Sequence, residues 1–154
     1  MSRAFVKEPD GGTPEALPER PISPHPNLVT REGLAAMEAE LARLDAAHAA
    51  AVRAGDKPAI AATQRDLRYW TARRASAQLV ETPAATGRVQ FGSTVTIERN
   101  DGRRQTFRIV GEDEADPAHG TLSHVSPLAK GLLGKAVGDT AVVNGAEVEV
   151  MAVR

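Results

Sequence analysis

The sequence predicts an α+β protein in which an N-terminal antiparallel helical hairpin, a coiled coil, precedes a small antiparallel β domain with one short helix. Between residues 30 and 80, apolar residues recur at spacings of three and four, which is typical of amphipathic helices. From Gly87 onward they alternate with polar residues, as in strands with one buried face. A chain of 154 residues has room for two such units. The change of period therefore marks the boundary between them.

The first predicted helix begins after Thr30, whose hydroxyl can cap the first turn. Neither proline nor glycine occurs from Leu34 to Ala54, and alanine, the best helix former, is frequent there. The residues at the a and d positions of a coiled coil are Leu34, Met37, Leu41, Leu44, His48 and Ala51. This seam predicts lengthwise packing against a second helix.

The second predicted helix runs from about Lys57 to Val80. Gly55 suits the end of the first helix, and Asp56 can cap the second. Its main apolar residues are Ile60, Leu67 and Trp70. Because the connection is so short, residues 28–80 are predicted to form an αα-hairpin that pairs within one chain, and a monomer is expected. Such a rod has little core of its own, so we expect it to pack on a neighbouring domain or a partner.

The β domain is predicted to span residues 87–154 and to contain two β-hairpins. Asn-Asp-Gly at 100–102 forms the turn of the first, and Asn-Gly at 144–145 forms the turn of the second. Between them, Ser-Pro at 126–127 begins a short helix. The Pro-, Ala- and Thr-containing segment 81–86 is predicted to be a linker.

The N-terminal arm, residues 1–27, contains six of the ten prolines and shows no hydrophobic period. It is predicted to be extended and flexible. The apolar cluster at 4–6 would suit a docking tail, but we favour a solubilising tail.

Composition excludes several kinds of chemistry. The chain has no cysteine, four histidines, 3% aromatic residues and a net charge of -1. It therefore lacks disulfides, thiolate metal sites and a stacking platform for nucleic acid. No third ligand accompanies His119 and His124, so neither a stably bound metal nor a cofactor is expected. Without an apolar run for a signal peptide or a membrane span, a cytoplasmic protein with no membrane partner is expected.

Several motifs in the second half carry a family resemblance. In chain order they read GRVQFG from Gly87, FRIVGEDEAD from Phe107, SPLA from Ser126, LLGK from Leu132 and VGD from Val137, and LVTREG at Leu28 precedes them. Together these strings closely resemble the bacterial Gre transcript-cleavage factors, with the arm at 1–27 outside the resemblance.

This resemblance implies an FKBP-like β domain and a protein that binds RNA polymerase. In the family, the β domain grips the rim of the polymerase's secondary channel, and the hairpin brings acidic residues at its tip to the catalytic Mg²⁺. The protein would then be no enzyme itself, but at most a cofactor of the polymerase's own RNA cleavage.

The hairpin tip departs from the family pattern of GD followed shortly by E-N-A-[ED]-Y. Asp56 matches the first acid, whereas Ala59 stands in place of the second. Each helix is also roughly two turns, or about 11 Å, shorter than in a typical member. We therefore predict weak or absent stimulation of transcript cleavage. The position of Asp56 is equally explained by helix capping alone, and Asp66, farther along the second helix, is not expected to substitute for Ala59.

Three alternatives to this function remain open. The first is an inhibitor at the secondary channel, or a competitor of other Gre factors. The second is a prolyl isomerase, suggested only by the FKBP-like shape, although the β domain has just Phe91 and Phe107 to line a pocket. The third is a plain coiled-coil adaptor, which predicts that the β domain is dispensable for the main interaction.

Two further groups are candidate contact residues. The family's rim-contacting loop corresponds to Val125, Ser126 and Pro127, although the last two are also explained by a helix start. The acidic run Glu112, Asp113, Glu114 and Asp116 is either part of the same docking surface or a solvated loop.

The helices also carry basic residues that could face the channel or the nascent RNA. They are Arg53, Arg65, Arg68, Arg73 and Arg74. In the alternative interpretation they form ion pairs within the hairpin, to which the first helix contributes Glu32, Glu38, Glu40 and Asp45.

Overall fold

The computed structural model describes residues 17–81 and 84–154 and confirms the α+β fold class. Two helices, α1 (Arg31–Ala54) and α2 (Lys57–Ser76), form the antiparallel hairpin. At the turn, Gly55 adopts φ +63°, a left-handed conformation that suits glycine because it lacks a Cβ atom. The Thr30 hydroxyl caps α1 by accepting a hydrogen bond from the Gly33 amide at 3.0 Å.

The predicted seam of α1 faces α2. Met37, Leu44 and Ala51 are buried, and the other seam residues are partly buried. A polar contact interrupts the apolar seam where His48 Nδ1 lies 3.0 Å from Thr63 Oγ1. In α2 the one buried residue is Arg73, so the hairpin has the thin core that its sequence predicts.

The base of the hairpin is closed by two short strands that the sequence analysis does not predict. Strand β1 (Leu28–Val29) pairs in parallel with β2 (Gln78–Leu79). The second helix therefore ends at Ser76 and not near Val80. The Gln78 amide donates to the Asn27 carbonyl at 2.8 Å, and this strand pairing replaces the last helical turn.

The β domain is one five-stranded sheet with the order β5-β4-β3-β7-β6. Its strands are β3 (Thr94–Arg99), β4 (Arg104–Val110), β5 (Thr121–Ser123), β6 (Thr140–Val143) and β7 (Ala146–Val153). Both predicted hairpin turns are present. However, β5 runs parallel to β4 because the chain crosses over between them through residues 111–120, so the sheet is mixed and not wholly antiparallel.

A short helix, α3 (Pro127–Leu132), covers one face of the sheet. The core beneath it contains Ile97, Ile109, Leu132 and Val150, all with no measurable exposure. The opposite face is polar, with the Thr96 and Thr106 hydroxyls 2.9 Å apart.

The described part of the N-terminal arm, residues 17–27, lies against α2. The prediction of a flexible arm is therefore wrong for this part, because the segment makes ion pairs and hydrogen bonds with the helix. Residues 1–16, which include the apolar cluster at 4–6, are outside the described residues. Within the described ranges, no helix is both long and apolar enough to cross a bilayer.

Candidate functional site

The hairpin tip presents the carboxylate of Asp56. Its Oδ1 accepts a hydrogen bond from the Ala59 amide at 3.1 Å, so the residue caps α2 as its position predicts. The side chain is exposed, and a carboxylate has about four acceptor positions. Capping and contact with an external cation are therefore compatible.

Asp56 is the one acidic residue at this end of the hairpin. The next acids along the chain are Asp45 and Asp66, and the latter lies about 15 Å farther along α2. Asp66 pairs with Arg65 at 3.0 Å and with Arg20 at 3.4 Å. It is thus held in a local ion-pair cluster and is not directed to the tip.

The acidic run after β4 is found largely at the interface between the two domains. Asp113 Oδ2 accepts a hydrogen bond from Arg73 Nε at 2.6 Å, and the Tyr69 hydroxyl donates to Asp113 Oδ1. The Arg73 side chain is 1% exposed, and its Nη2 donates to Asn27 Oδ1 at 2.8 Å. These contacts join the arm, the hairpin and the β domain around one guanidinium.

Glu114 binds the N-terminus of α1. Its carboxylate accepts hydrogen bonds from the Thr30 amide at 3.0 Å, from the Gly111 amide at 3.2 Å and from the Thr30 hydroxyl. A carboxylate is favourable there because the helix dipole places partial positive charge at that end. A Cβ atom on Gly33 would lie 2.1 Å from Glu114 Oε2, so the close approach requires glycine.

Glu112 and His124 lie close enough to Arg73 to interact with it electrostatically. Glu112 Oε2 is 3.6 Å from Arg73 Nη2, and this oxygen and His124 Nε2 are buried without a hydrogen-bond partner in the described residues. Burial is the main cause that lowers the pKa of His124, and it outweighs the opposing effect of the Glu112 charge; the charges of His25 and Arg73 lower the pKa further by smaller amounts. The histidine is therefore favoured in its neutral form.

Three of the four acidic candidates thus contact the helical hairpin, as the sequence does not predict. Asp116 differs, because it is exposed and its Oδ2 lies 2.6 Å from His119 Nδ1. The sequence around Arg73 gives no indication that Asp113 is its partner, because the two residues are 40 positions apart.

The candidate basic residues on α2 all have acidic partners. Arg65 pairs with Asp66, Arg68 with Glu19, Arg73 with Asp113 and Arg74 with Glu38. Arg73 is buried and cannot face a channel or RNA. Of these four pairs, the one between Arg74 and Glu38 joins the two helices as the ion-pair interpretation predicts, whereas Arg68 and Arg73 pair with the arm and the β domain. Arg53, in the last turn of α1, is exposed.

The loop at 125–127 leads into α3 on the surface of the β domain. The Ser126 hydroxyl accepts a hydrogen bond from the Ala129 amide at 3.2 Å, and Pro127 is exposed at the first helical position. Farther along the chain, the loop that precedes β6 exposes Val137, at 60%. The sequence-predicted contact residues are thus partly accessible, with Val125 half-buried.

The surroundings of Phe91 and Phe107 and the cavity between the domains do not favour the aromatic-lined pocket that a prolyl isomerase needs. Phe107 is a core residue, and Phe91 packs edge-on against the ring of His124. A cavity of about 40 Å³ lies between the domains, lined by Met37, Trp70 and neighbouring residues, and is far smaller than a usual ligand pocket. In the ranges 17–81 and 84–154, no three His, Asp or Glu side chains are arranged to hold a metal ion.

Comparison with known proteins identifies relatives. Residues 84–154 match the family model "Transcription elongation factor, GreA/GreB, C-term". GreA of Chloroflexus aggregans is 35% identical over 139 residues, covering 77% of this chain and 88% of the relative. GreB of Neisseria meningitidis serogroup B is 45% identical over 85 residues. This match covers 54% of this chain and 52% of that protein, so the chain spans about half the length of this relative. The crystal structure of GreA factor homolog 1 from Thermus thermophilus aligns with 84% of this chain and 99% of its own, at 19% identity and a TM-score of 0.40.

Proposed function

Because the chain belongs to the GreA/GreB family of transcription elongation factors, we propose that it binds RNA polymerase at the secondary channel and modulates elongation, pausing or arrest. We further propose that it stimulates transcript cleavage weakly or not at all. In this role the protein is not an enzyme, and the Mg²⁺ on which it acts belongs to the polymerase.

The observation that carries the second proposal is the single carboxylate at the tip. Phosphodiester cleavage by two metal ions requires that both ions be held in place, and carboxylates are the usual protein ligands for Mg²⁺. Asp56 can supply one carboxylate, whereas the methyl group of Ala59 supplies no ligand. One carboxylate holds a weakly ligated ion less well than two.

The length of the hairpin supports the same proposal. The 24 residues of α1 and 20 residues of α2 correspond to rods of about 36 Å and 30 Å. A shorter hairpin holds the tip carboxylate farther from the metal and so weakens its coordination, which makes a single carboxylate even less effective. The β domain would dock through the exposed part of the 125–127 loop, with Asp116 as the accessible acid beside the docking surface.

A second candidate function, inhibition, follows from the same tip. A hairpin that enters the channel without completing the metal site occupies it and excludes longer family members. A run-off transcription assay with increasing amounts of the protein distinguishes the two functions, because an inhibitor lowers full-length product whereas a rescue factor raises it.

The decisive experiment is transcript cleavage in a backtracked elongation complex of the cognate polymerase. We expect little cleavage with the wild-type protein and more with Ala59→Glu, which adds the missing carboxylate. Glutamate three residues after a cap is favourable in a helix, so this variant should fold normally. The matched control is Asp56→Asn, which keeps the cap and removes the charge.

Polymerase binding must be measured in parallel for each variant. Strong wild-type cleavage that Asp56→Asn abolishes would show that one carboxylate on this hairpin suffices, contrary to the proposal. No binding at all would refute the proposed partner.

A further inference from the structure

In the N-terminal arm, residues 17–27, the outer part around Glu19 and Arg20 is held weakly. The Arg68 guanidinium donates to Glu19 Oε1 at 2.7 Å, and Arg20 lies 3.9 Å from the centroid of the Tyr69 ring. Arg20 also pairs with Asp66 at 3.4 Å. The side chains of Glu19 and Arg68 are more than half exposed, so solvent weakens their ion pair.

The inner end of the arm is held much more firmly. Asn27 is 4% exposed, and its side-chain amide donates to the Arg73 carbonyl at 2.8 Å while its Oδ1 accepts from Arg73 Nη2 at 2.8 Å. Its own carbonyl accepts from the Gln78 amide at 2.8 Å. Removing this side chain would leave buried polar groups of α2 unpaired, which is costly.

Both parts of the arm contact residues that also hold the β domain. Arg73, the partner of Asn27, donates to Asp113, and Tyr69, which lies beneath Arg20, donates to the same carboxylate. The two α2 residues are four positions apart and so lie on one face of the helix. The arm and the β domain therefore bind different atoms of the same two side chains.

We propose that residues 17–27 form a clasp that fixes the angle between the helical hairpin and the β domain. Asn27 is its anchor, and Glu19 and Arg20 are its releasable end. Because the outer contacts are exposed and the anchor is buried, the clasp opens in stages from its outer end. The inference goes beyond the proposed function, and it is tested on the free protein without polymerase.

The test measures the distance between the hairpin tip and the β domain. The chain contains no cysteine, so Val52→Cys near the tip and Val142→Cys on β6 introduce unique sites for spin labels at exposed positions. Pulsed electron paramagnetic resonance then gives the distribution of distances between the labels. We expect a narrow distribution with the intact arm, a broader one in Arg20→Ala and the broadest in Asn27→Ala.

Hydrogen exchange provides a second readout. In Asn27→Ala, the amides of α2 near Arg73 should exchange roughly tenfold faster, because buried groups lose their partner. The matched control is Arg43→Ala, which removes an ion pair with Glu40 elsewhere on the hairpin and should change neither readout.

Deletion of residues 1–21 keeps the test decisive if Asn27→Ala fails to fold. It removes Glu19 and Arg20 and retains the anchor, so we expect broadening similar to that of Arg20→Ala. Unchanged distance distributions in the deletion and in Arg20→Ala, with native circular dichroism, would overturn the staged clasp. Equal broadening in Arg43→Ala would overturn it as well, because the effect would then not be specific to the arm.

Discussion

Arg73 shows how a charged side chain is accommodated in the interior of this protein. Its side chain is 1% exposed, and it is surrounded by the oxygens of Asp113, Glu112 and Asn27. A buried charge is tolerated when it is paired and hydrogen-bonded, whereas removing one partner leaves the other charge uncompensated. The residue is therefore part of the domain interface and not of an outer basic surface.

The neighbouring arginines allow a direct test of this role. Arg73→Ala should lower the free energy of unfolding by about 3–5 kcal/mol, because the largely buried carboxylate of Asp113 loses its charged partner. Arg74→Ala removes an exposed pair with Glu38 and should cost only about 0.2–1 kcal/mol. Urea denaturation measures both, and equal losses would contradict the difference in burial.

Tyr69 is the one tyrosine of the chain, so its ionisation can be observed directly. Burial, followed by the hydrogen bond to the Asp113 carboxylate and the charge of that group, raises the pKa of Tyr69 to about 12. Because the unfolded chain loses this proton first, near pH 10, the resulting stabilisation is fully present below that pH and is lost as the pH rises through 12.

Alkaline titration followed by tyrosinate absorbance tests this prediction. The native protein should titrate near 12, and Asp113→Ala should lower the pKa because the hydrogen bond and the negative charge are both removed. Asp101→Ala, in an exposed turn, is the control and should leave the titration unchanged. A native pKa near 10 would contradict the contact between Tyr69 and Asp113.

At the scale of elements, the beginning of α1 is determined by both domains. Thr30 caps the helix from within, and Glu114 reaches the same end from the loop after β4. The carboxylate fits because Gly33 and Gly111 lack side chains: an added Cβ would lie within 3.0 Å of Glu114 Oε2 at either position. A helix terminus thus serves as the contact between two domains.

Gly33→Ala is expected to destabilise the protein although alanine is the better helix former. Helix propensity alone favours alanine by about 1 kcal/mol, but its Cβ would displace Glu114, and we expect a net loss of about 1–3 kcal/mol. In a Glu114→Ala background the obstruction is absent, so the same substitution should be neutral or stabilising. Denaturation of the four proteins in this cycle measures the coupling, and additive effects would exclude it.

At the scale of the whole molecule, the contacts around Arg73 and Glu114 couple a thin helical hairpin to a well-packed sheet. The hairpin buries few large side chains between its helices, whereas the β domain has a continuous apolar core. The hairpin therefore depends on the interface for part of its stability, and the two units should unfold together while that interface is intact.

Trp70, the single tryptophan, reports on the hairpin and so tests this coupling. In the wild-type protein, its fluorescence and the NMR signals of the β-domain core methyl groups should change at the same denaturant concentration. In Asp113→Ala, the fluorescence change should come first, because the hairpin loses its support. Coincident transitions in that variant would show that the hairpin is stable without this contact.

Features that depend on neighbouring residues could be predicted from the sequence alone. The caps at Thr30, Asp56 and Ser126 and the turn at 144–145 were predictable because each interaction spans only a few positions. The two apolar periods likewise predicted the helices and most strands, since burial of one face imposes a period of 3.6 or 2. The local pattern predicts only the capping role of Asp56, whereas its role as a tip acid is implied by the family resemblance and stays a prediction.

The positions of the charged interface residues, in contrast, follow from the packing of the two domains and could not be predicted from the sequence. Arg73 and the acids at 112–114 have the composition of solvated surfaces, and they become buried because their partners come from distant parts of the chain. The parallel pairing of β5 and the ordered position of residues 17–27 depend on such long-range contacts as well. Local periodicity carries no information about a partner 40 to 84 positions away. For this reason, residues that the sequence places at the surface lie at the domain interface in the folded protein.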